Sequence, residues 1–95
     1  MALPSFLQPC LASYNLSKLD KKRDKKTIIT EILNKGDELA LQWLGKTYTQ
    51  EEIKDTVSSP ARGMWLSKVL TYWLKIFDLK IPKNVFQKAI INLSP

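Results

Sequence analysis

Hydrophobic residues along this chain recur at intervals of three and four positions, and a strict alternation of apolar and polar residues is absent. This is the spacing of α-helices that each bury one apolar face. Glycine, which tight hairpin turns favour, occurs only 3 times in 95 residues. We therefore predict an all-α fold, a compact single-domain bundle of about five short helices with an N-terminal arm that contains a helical turn.

The predicted arm spans residues 1–19, and the helical domain spans residues 20–95. Apolar residues of the arm fall on one helical face, but Pro9 interrupts any continuous helix there. These apolar residues are Phe6, Leu7, Cys10, Leu11 and Tyr14. We expect the arm to pack as a flap on the helical domain.

Capping residues place the helix boundaries. Asp20, Asp37 and Thr49 are of the types that cap helix N-termini, and Glu52 completes a capping box with Thr49. The predicted helices are 20–35, which buries Ile28, Ile29, Ile32 and Leu33; 37–45; one that begins at 49; 64–77; and one from about Pro82 to Leu93.

The stretch RGMWLSKVLTYWLKIF, residues 62–77, holds the most informative pattern. On a helical wheel its core stripe includes Trp73, and a second apolar flank carries Trp65, Tyr72 and Ile76. Together they form an apolar arc about 200° wide, whereas a surface helix needs little more than 100°. We predict that Trp73 lies in the core. Trp65 and Tyr72 either pack under the arm or last helix, or stay partly open as a docking surface.

Tryptophan, tyrosine and arginine are the residues most enriched at binding hot spots. The docking hypothesis therefore assigns partner binding to a basic and aromatic group of residues in this stretch. The candidate partner-binding residues are Arg62, Met64, Trp65, Lys68 and Tyr72.

The net charge of +6 arises from 15 basic and 9 acidic residues. Six of the basic residues lie in the segment KLDKKRDKK, residues 18–26, which predicts either a solvated helix start or an anion-binding patch. The rhythm of residues 48–65 is also that of a helix-turn-helix, but the exposed sector of the next helix lacks the side chains that usually read bases. The candidate nucleic-acid-binding residues are Lys21, Lys22, Arg23, Lys25, Lys26 and Arg62.

The residue types argue against catalysis. There is one cysteine, Cys10, and no histidine, which excludes an intrachain disulfide, a four-ligand Cys/His zinc site and histidine acid–base catalysis. No nucleophile elbow or glycine-rich phosphate loop is present. We predict a non-enzymatic protein without a cofactor or small-molecule substrate.

No apolar run approaches the roughly 20 residues that span a bilayer, so we expect no membrane partner. The opening MALPSFLQPCLASYN has no basic segment before its apolar residues, and two prolines interrupt it. We therefore expect no signal peptide and a cytoplasmic location.

Four segments carry a resemblance that covers most of the chain: 3–20, 28–57, 60–77 and 89–95. Its marks are Leu-Asp before the first helix, Lys-Gly-Asp at 35–37, Arg-Gly-Met-Trp at 62–65 and Tyr-Trp at 72–73. In these the chain resembles a family of small, largely uncharacterised bacterial all-helical domains, similar to antitoxin-like neighbours of abortive-infection nucleotidyltransferase toxins. The resemblance implies a protein that neutralises such an enzyme by binding it, and implies binding to its own promoter.

Three hypotheses follow from the sequence. The leading one is an antitoxin-like protein-binding module whose partner is a nucleotidyltransferase-type toxin encoded nearby. The second is a nucleic-acid-binding regulatory domain that uses the basic residues named above. The third is a structural homodimer in which the wide apolar arc pairs with its own copy.

Overall fold

The computed structural model of the protein describes residues 3–91; Met1, Ala2 and residues 92–95 lie outside the description. Within that range two 3-10 helices precede five α-helices, and the only β pairing is one isolated bridge. The 3-10 helices are Ser5–Leu7 and Leu16–Lys18. The α-helices are α1 (Lys25–Lys35), α2 (Glu38–Thr47), α3 (Gln50–Ser58), α4 (Ser67–Ile76) and α5 (Lys83–Ala89). The predicted all-α bundle is confirmed.

The N-terminal arm is built into the core. Leu7 and Leu11 are fully buried, and Leu3 and Cys10 are nearly so. The 3-10 helix Ser5–Leu7 contacts α2. The Cys10 thiol donates to the carbonyl oxygen of Leu7 at 3.2 Å, and burial raises the pKa of that thiol. The predicted helical turn is present in the arm. Its buried residues complete the hydrophobic core, whereas Phe6, on the predicted apolar face, is 43 % exposed.

Helix α1 begins five residues later than the sequence predicts. The Asp20 carboxylate accepts from the backbone N–H groups of Lys22 and Arg23, both at 2.8 Å, and so caps a separate turn at 21–24. The regular helix starts only at Lys25. From there the predicted apolar face holds, because Ile28, Ile29, Ile32 and Leu33 are all buried.

The connections between α1, α2 and α3 lie where the sequence predicts them. Gly36 stands where a β-carbon would lie 2.6 Å from the carbonyl oxygen of Ile32, so glycine permits a close approach there. Asp37 caps α2 by accepting from the N–H of Ala40 at 3.0 Å. Thr49 and Glu52 form the predicted capping box at the start of α3.

The predicted fourth helix, 64–77, is wrong at its start. The chain turns at Gly63, which has a φ of +70°. Trp65 then pairs with the end of α5, because the N–H of Trp65 donates to Ala89 at 2.9 Å and the N–H of Ile91 donates to Trp65 at 2.8 Å. These bonds commit the backbone of Trp65 to a partner distant in sequence, so α4 starts at Ser67. For the same reason α5 stops at Ala89, short of the predicted end, which lies outside the described residues.

Candidate partner-binding site

Trp65 does not belong to a binding surface. Its side chain is fully buried and is the largest wholly enclosed side chain among residues 3–91. The indole Nε1 has no hydrogen-bond partner among residues 3–91. The first alternative for this residue, packing within the domain, is therefore confirmed. Its assignment to the partner-binding site is wrong, because the backbone of Trp65 pairs with Ala89 and Ile91 and its indole is enclosed in the core.

Tyr72 behaves differently, with 55 % of its surface exposed. Ile76, one helical turn further along α4, is exposed to the same extent. Lys68, Thr71 and Lys75 are also exposed on this helix, and an open depression of about 330 Å³ is lined by Ser67, Lys68, Thr71, Tyr72 and Lys75. We call Lys68, Thr71, Tyr72, Lys75 and Ile76 the α4 face. It joins a basic ridge to an apolar one.

The neighbours of Tyr72 hold its ring in place. The ring lies edge-on to Trp73, with centroids 5.1 Å apart, and Trp73 stacks on Phe77 at 5.7 Å. The Trp73 indole N–H donates to the carbonyl oxygen of Leu33 on α1 at 3.4 Å, which is a long hydrogen bond. The predicted place of Trp73 in the core is confirmed only in part, because its side chain is half-buried and packs against the buried core residues. The α4 face therefore presents an aromatic side chain supported by the bundle.

Arg62 and Met64 lie just before α4. Met64 is half-buried, whereas Arg62 is exposed. The N–H of Gly63 donates to the carbonyl oxygen of Lys88 at 2.9 Å, which places the backbone beside Arg62 at the end of α5. The predicted set is thus split: Lys68 and Tyr72 share the α4 face, Arg62 borders α5, and Trp65 lies in the core.

Asn34 holds the start of α4 against α1. Its side-chain amide donates to the carbonyl oxygens of Thr30 and Met64, both at 3.0 Å, and its oxygen accepts from the N–H of Leu66 at 3.1 Å. The amide therefore uses both its donor and acceptor groups to fix Met64 and Leu66. No sequence signal identified this residue, because its partners lie 30 and 32 positions away.

The positive charge concentrates in the part of the chain that carries the α4 face. Residues 59–91 hold six basic side chains and one acidic side chain, a net charge of +5, while residues 3–58 carry +1. Neither α4 nor α5 contains an aspartate or glutamate. Within the described range, Lys68 and Lys75 form no ion pair. The charge around this face is therefore predominantly positive.

The basic segment at 18–26 is partly neutralised by its own neighbours. The Arg23 guanidinium pairs with Asp24 at 2.8 Å and lowers the pKa of that carboxyl group. Lys25 pairs with Glu52 at 3.2 Å. Two clefts meet at Lys21 and Lys22, one lined also by Lys18 and Arg23, the other by Lys25, Tyr48 and Glu52. Lys18, Lys22 and Lys26 are exposed, and Lys21 is half-buried.

The predicted nucleic-acid-binding set does not form one cluster. Lys21, Lys22, Arg23, Lys25 and Lys26 lie at the N-terminal end of α1. Asn34, at the other end of α1, contacts Met64, so Arg62 lies near that opposite end. An eleven-residue helix separates the two ends by roughly 15 Å. Arg62 therefore groups with α5, and the basic segment stands alone.

Residues 3–91 contain neither a candidate metal centre nor a candidate membrane span. Across residues 3–91, no three Cys, Asp or Glu side chains cluster in a way that could hold a metal ion. No helix in that range has the length and apolarity needed to cross a membrane.

These observations define a small all-α domain with a basic and apolar face. Residues 6–57 match the family of unknown function DUF6922, and the chain belongs to this family. The match begins within the arm and ends at Val57, one residue before the end of α3, so the α4 face lies outside it. Comparison with curated proteins and with solved structures found no match.

Proposed function

We propose that this protein is a non-enzymatic protein-binding module that binds an acidic partner protein through its α4 face. The observation that carries the proposal is the exposure of Tyr72 and Ile76, 55 % each, beside the basic ridge of Lys68 and Lys75. Burying two large apolar side chains against a partner supplies the driving force. The lysines then select an acidic surface and speed the encounter.

The resemblance described above suggests the partner's class. We propose an antitoxin-like role in which the bound partner is a nucleotidyltransferase-type toxin encoded nearby. A nucleotidyltransferase binds divalent metal through carboxylates, so a basic, apolar plug is complementary to the rim of such a site. Neutralisation would then be steric and would need no chemistry from this chain.

Charge reversal on the α4 face tests the proposal. The protein is co-expressed with the product of the adjacent gene, and the amount that co-purifies is measured. We expect the Lys68→Glu/Lys75→Glu variant to lose most of the partner. The Lys26→Glu/Lys46→Glu variant changes the net charge equally at exposed positions on α1 and α2, and it should retain the partner. Equal retention by both variants would overturn the assignment of the α4 face.

A second candidate function is nucleic-acid backbone binding by the basic segment. The observation in its favour is the pair of clefts that meet at Lys21 and Lys22. Phosphate contacts release counterions, so such binding should weaken steeply as salt rises. Fluorescence anisotropy with a short labelled DNA duplex at low salt is the test. A Lys21→Glu/Lys22→Glu variant that binds as the unmodified protein does would remove this candidate.

The homodimer hypothesis fits the α4 face poorly. Two-fold pairing would bring Lys68 and Lys75 of one copy toward the same lysines of the other, since an isologous interface uses one patch twice. Neither α4 nor α5 carries an acidic side chain that could pair with these lysines. We therefore infer that the partner is a different protein. Sedimentation of this protein alone at micromolar concentration should show a monomer.

A further inference from the structure

A second depression continues the α4 face toward α5. It measures about 350 Å³ and is lined by Ser67, Phe86, Gln87, Ile90 and Ile91. Ser67 also lines the depression on α4, so the two share a wall. We call this second depression the α4–α5 groove. Its lining is mostly apolar, whereas the α4 face mixes apolar and basic residues.

The groove is built on a fixed floor. The bridge between Trp65 and Ile90 joins the segment before α4 to the end of α5, and Trp65 itself is fully enclosed. Asn34 holds the residues on either side of Trp65, Met64 and Leu66, through two hydrogen bonds. A surface held in this way loses little conformational entropy when it binds.

Basic residues lie on the two segments that join at the groove. The backbone hydrogen bond from Gly63 to Lys88 joins the residue after Arg62 to α5, and Lys68 and Lys75 line the adjoining depression on α4. No acidic residue occurs on either helix. The occupant that matches this arrangement is an apolar side chain carried by an acidic segment.

We propose that the α4–α5 groove receives an apolar side chain from an acidic amphipathic helix of the partner, the same helix that lies along the α4 face. This inference rests on the proposed function and adds the partner's chemistry. Lys68 and Lys75 lie seven residues apart, about 10 Å along the axis. The bound helix therefore carries acidic residues two turns apart, with its apolar ridge beside Tyr72 and Ile76 and one apolar residue beyond it in the groove.

The test uses a defined probe. Two synthetic eighteen-residue amphipathic helices carry leucines on one face and either glutamates or lysines on the flanks. Each is titrated into the 15N-labelled full chain, and backbone amide shifts are followed by NMR. We expect the glutamate peptide to shift residues of the α4 face together with Gln87, Ile90 and Ile91, and the lysine peptide to shift none of them.

A matched pair of variants separates the groove from the α4 face. Gln87→Glu places a negative charge in the groove lining, and Gln42→Glu makes the same change on the exposed surface of α2. We expect Gln87→Glu to weaken binding of the glutamate peptide by at least about fivefold and Gln42→Glu to leave it within about twofold.

The outcomes distinguish the two proposals. If the α4 face shifts while Gln87, Ile90 and Ile91 do not, and Gln87→Glu binds normally, the groove inference is overturned and the proposed function stands. If the glutamate peptide shifts neither region, the acidic-helix chemistry is overturned for both. If a short DNA duplex at physiological salt shifts both regions and the glutamate peptide does not, the face binds nucleic acid and the inference is overturned.

Discussion

The side-chain amide of Asn34 on α1 is hydrogen bonded to the main-chain carbonyl of Met64, 30 residues away, at 3.0 Å. Together with the bond that Asn34 accepts from Leu66, this contact fixes the entrance to α4. The α4 face and the groove next to it therefore depend on one polar side chain that takes no direct part in either.

Replacing Asn34 should destabilise the whole domain. Asn34→Ala removes three hydrogen bonds and leaves the carbonyl of Met64 and the N–H of Leu66 without their partner. We expect a loss of about 2 kcal/mol in the free energy of unfolding, measured by urea denaturation. Asn84→Ala, at an exposed position on α5, is the control and should stay within about 0.5 kcal/mol of the unmodified protein. A loss for Asn34→Ala no larger than the control's would contradict the role given to Asn34.

Trp65 and Tyr72 should respond to substitution in opposite ways. Trp65 is fully enclosed, so Trp65→Ala should cost about 3–5 kcal/mol or prevent folding. Tyr72 is largely exposed, so Tyr72→Ala should cost less than about 1 kcal/mol. Thermal unfolding followed by circular dichroism measures both. If Trp65→Ala caused only a small loss of stability, the indole would not be at the centre of the core.

Replacing Asp78, which follows the C-terminal end of α4, by glycine should stabilise the protein. The N–H of Asp78 donates to Lys75 at 3.1 Å and that of Leu79 donates to Leu74 at 2.8 Å, the pattern of a Schellman cap. Asp78 takes a φ of +52°, where a β-carbon is unfavourable. We expect Asp78→Gly to raise the free energy of unfolding by about 0.5–1 kcal/mol. Asp78→Ala keeps the β-carbon and should give no gain, so equal gains from both would refute the backbone explanation.

Tyr48 should make the protein sensitive to alkali. Burial, aided by the carboxylates of Glu52, Asp20 and Asp24, raises the pKa of the Tyr48 phenol to about 12. The phenol also donates to the carbonyl oxygen of Lys21 at 2.8 Å. Because the unfolded chain releases this proton near pH 10, its contribution to stability is complete below about pH 10 and is lost as the pH rises toward 12.

The control for this effect is Tyr48→Phe. It removes the hydrogen bond to Lys21 and should cost about 1 kcal/mol at neutral pH. Its stability should then fall less between pH 10 and 12 than that of the unmodified protein. Urea denaturation at several pH values measures the difference. Parallel curves would show that Tyr48 does not carry the alkaline loss.

Local sequence determined much of this fold. The period of Ile28, Ile29 and Ile32 set the buried face of α1, and the Thr49–Glu52 capping box set the start of α3. These features depend on residues three or four positions apart, so they can be read without knowing the rest of the chain. The wide apolar arc of 62–77 left two alternatives open, a second flank that packs within the domain or one that stays exposed.

Tertiary structure decided which side each aromatic residue takes. A helical wheel placed Trp65 and Tyr72 together, but Trp65 is not helical, because its backbone pairs with Ala89 and Ile91. That pairing spans more than twenty positions and leaves no local signature. The positive charge of residues 59–91 can be counted from the sequence once the end of α3 is known. The groove between α4 and α5 cannot be predicted in this way. A groove exists only where segments distant along the chain are brought side by side, and only the packing of the whole domain sets that distance.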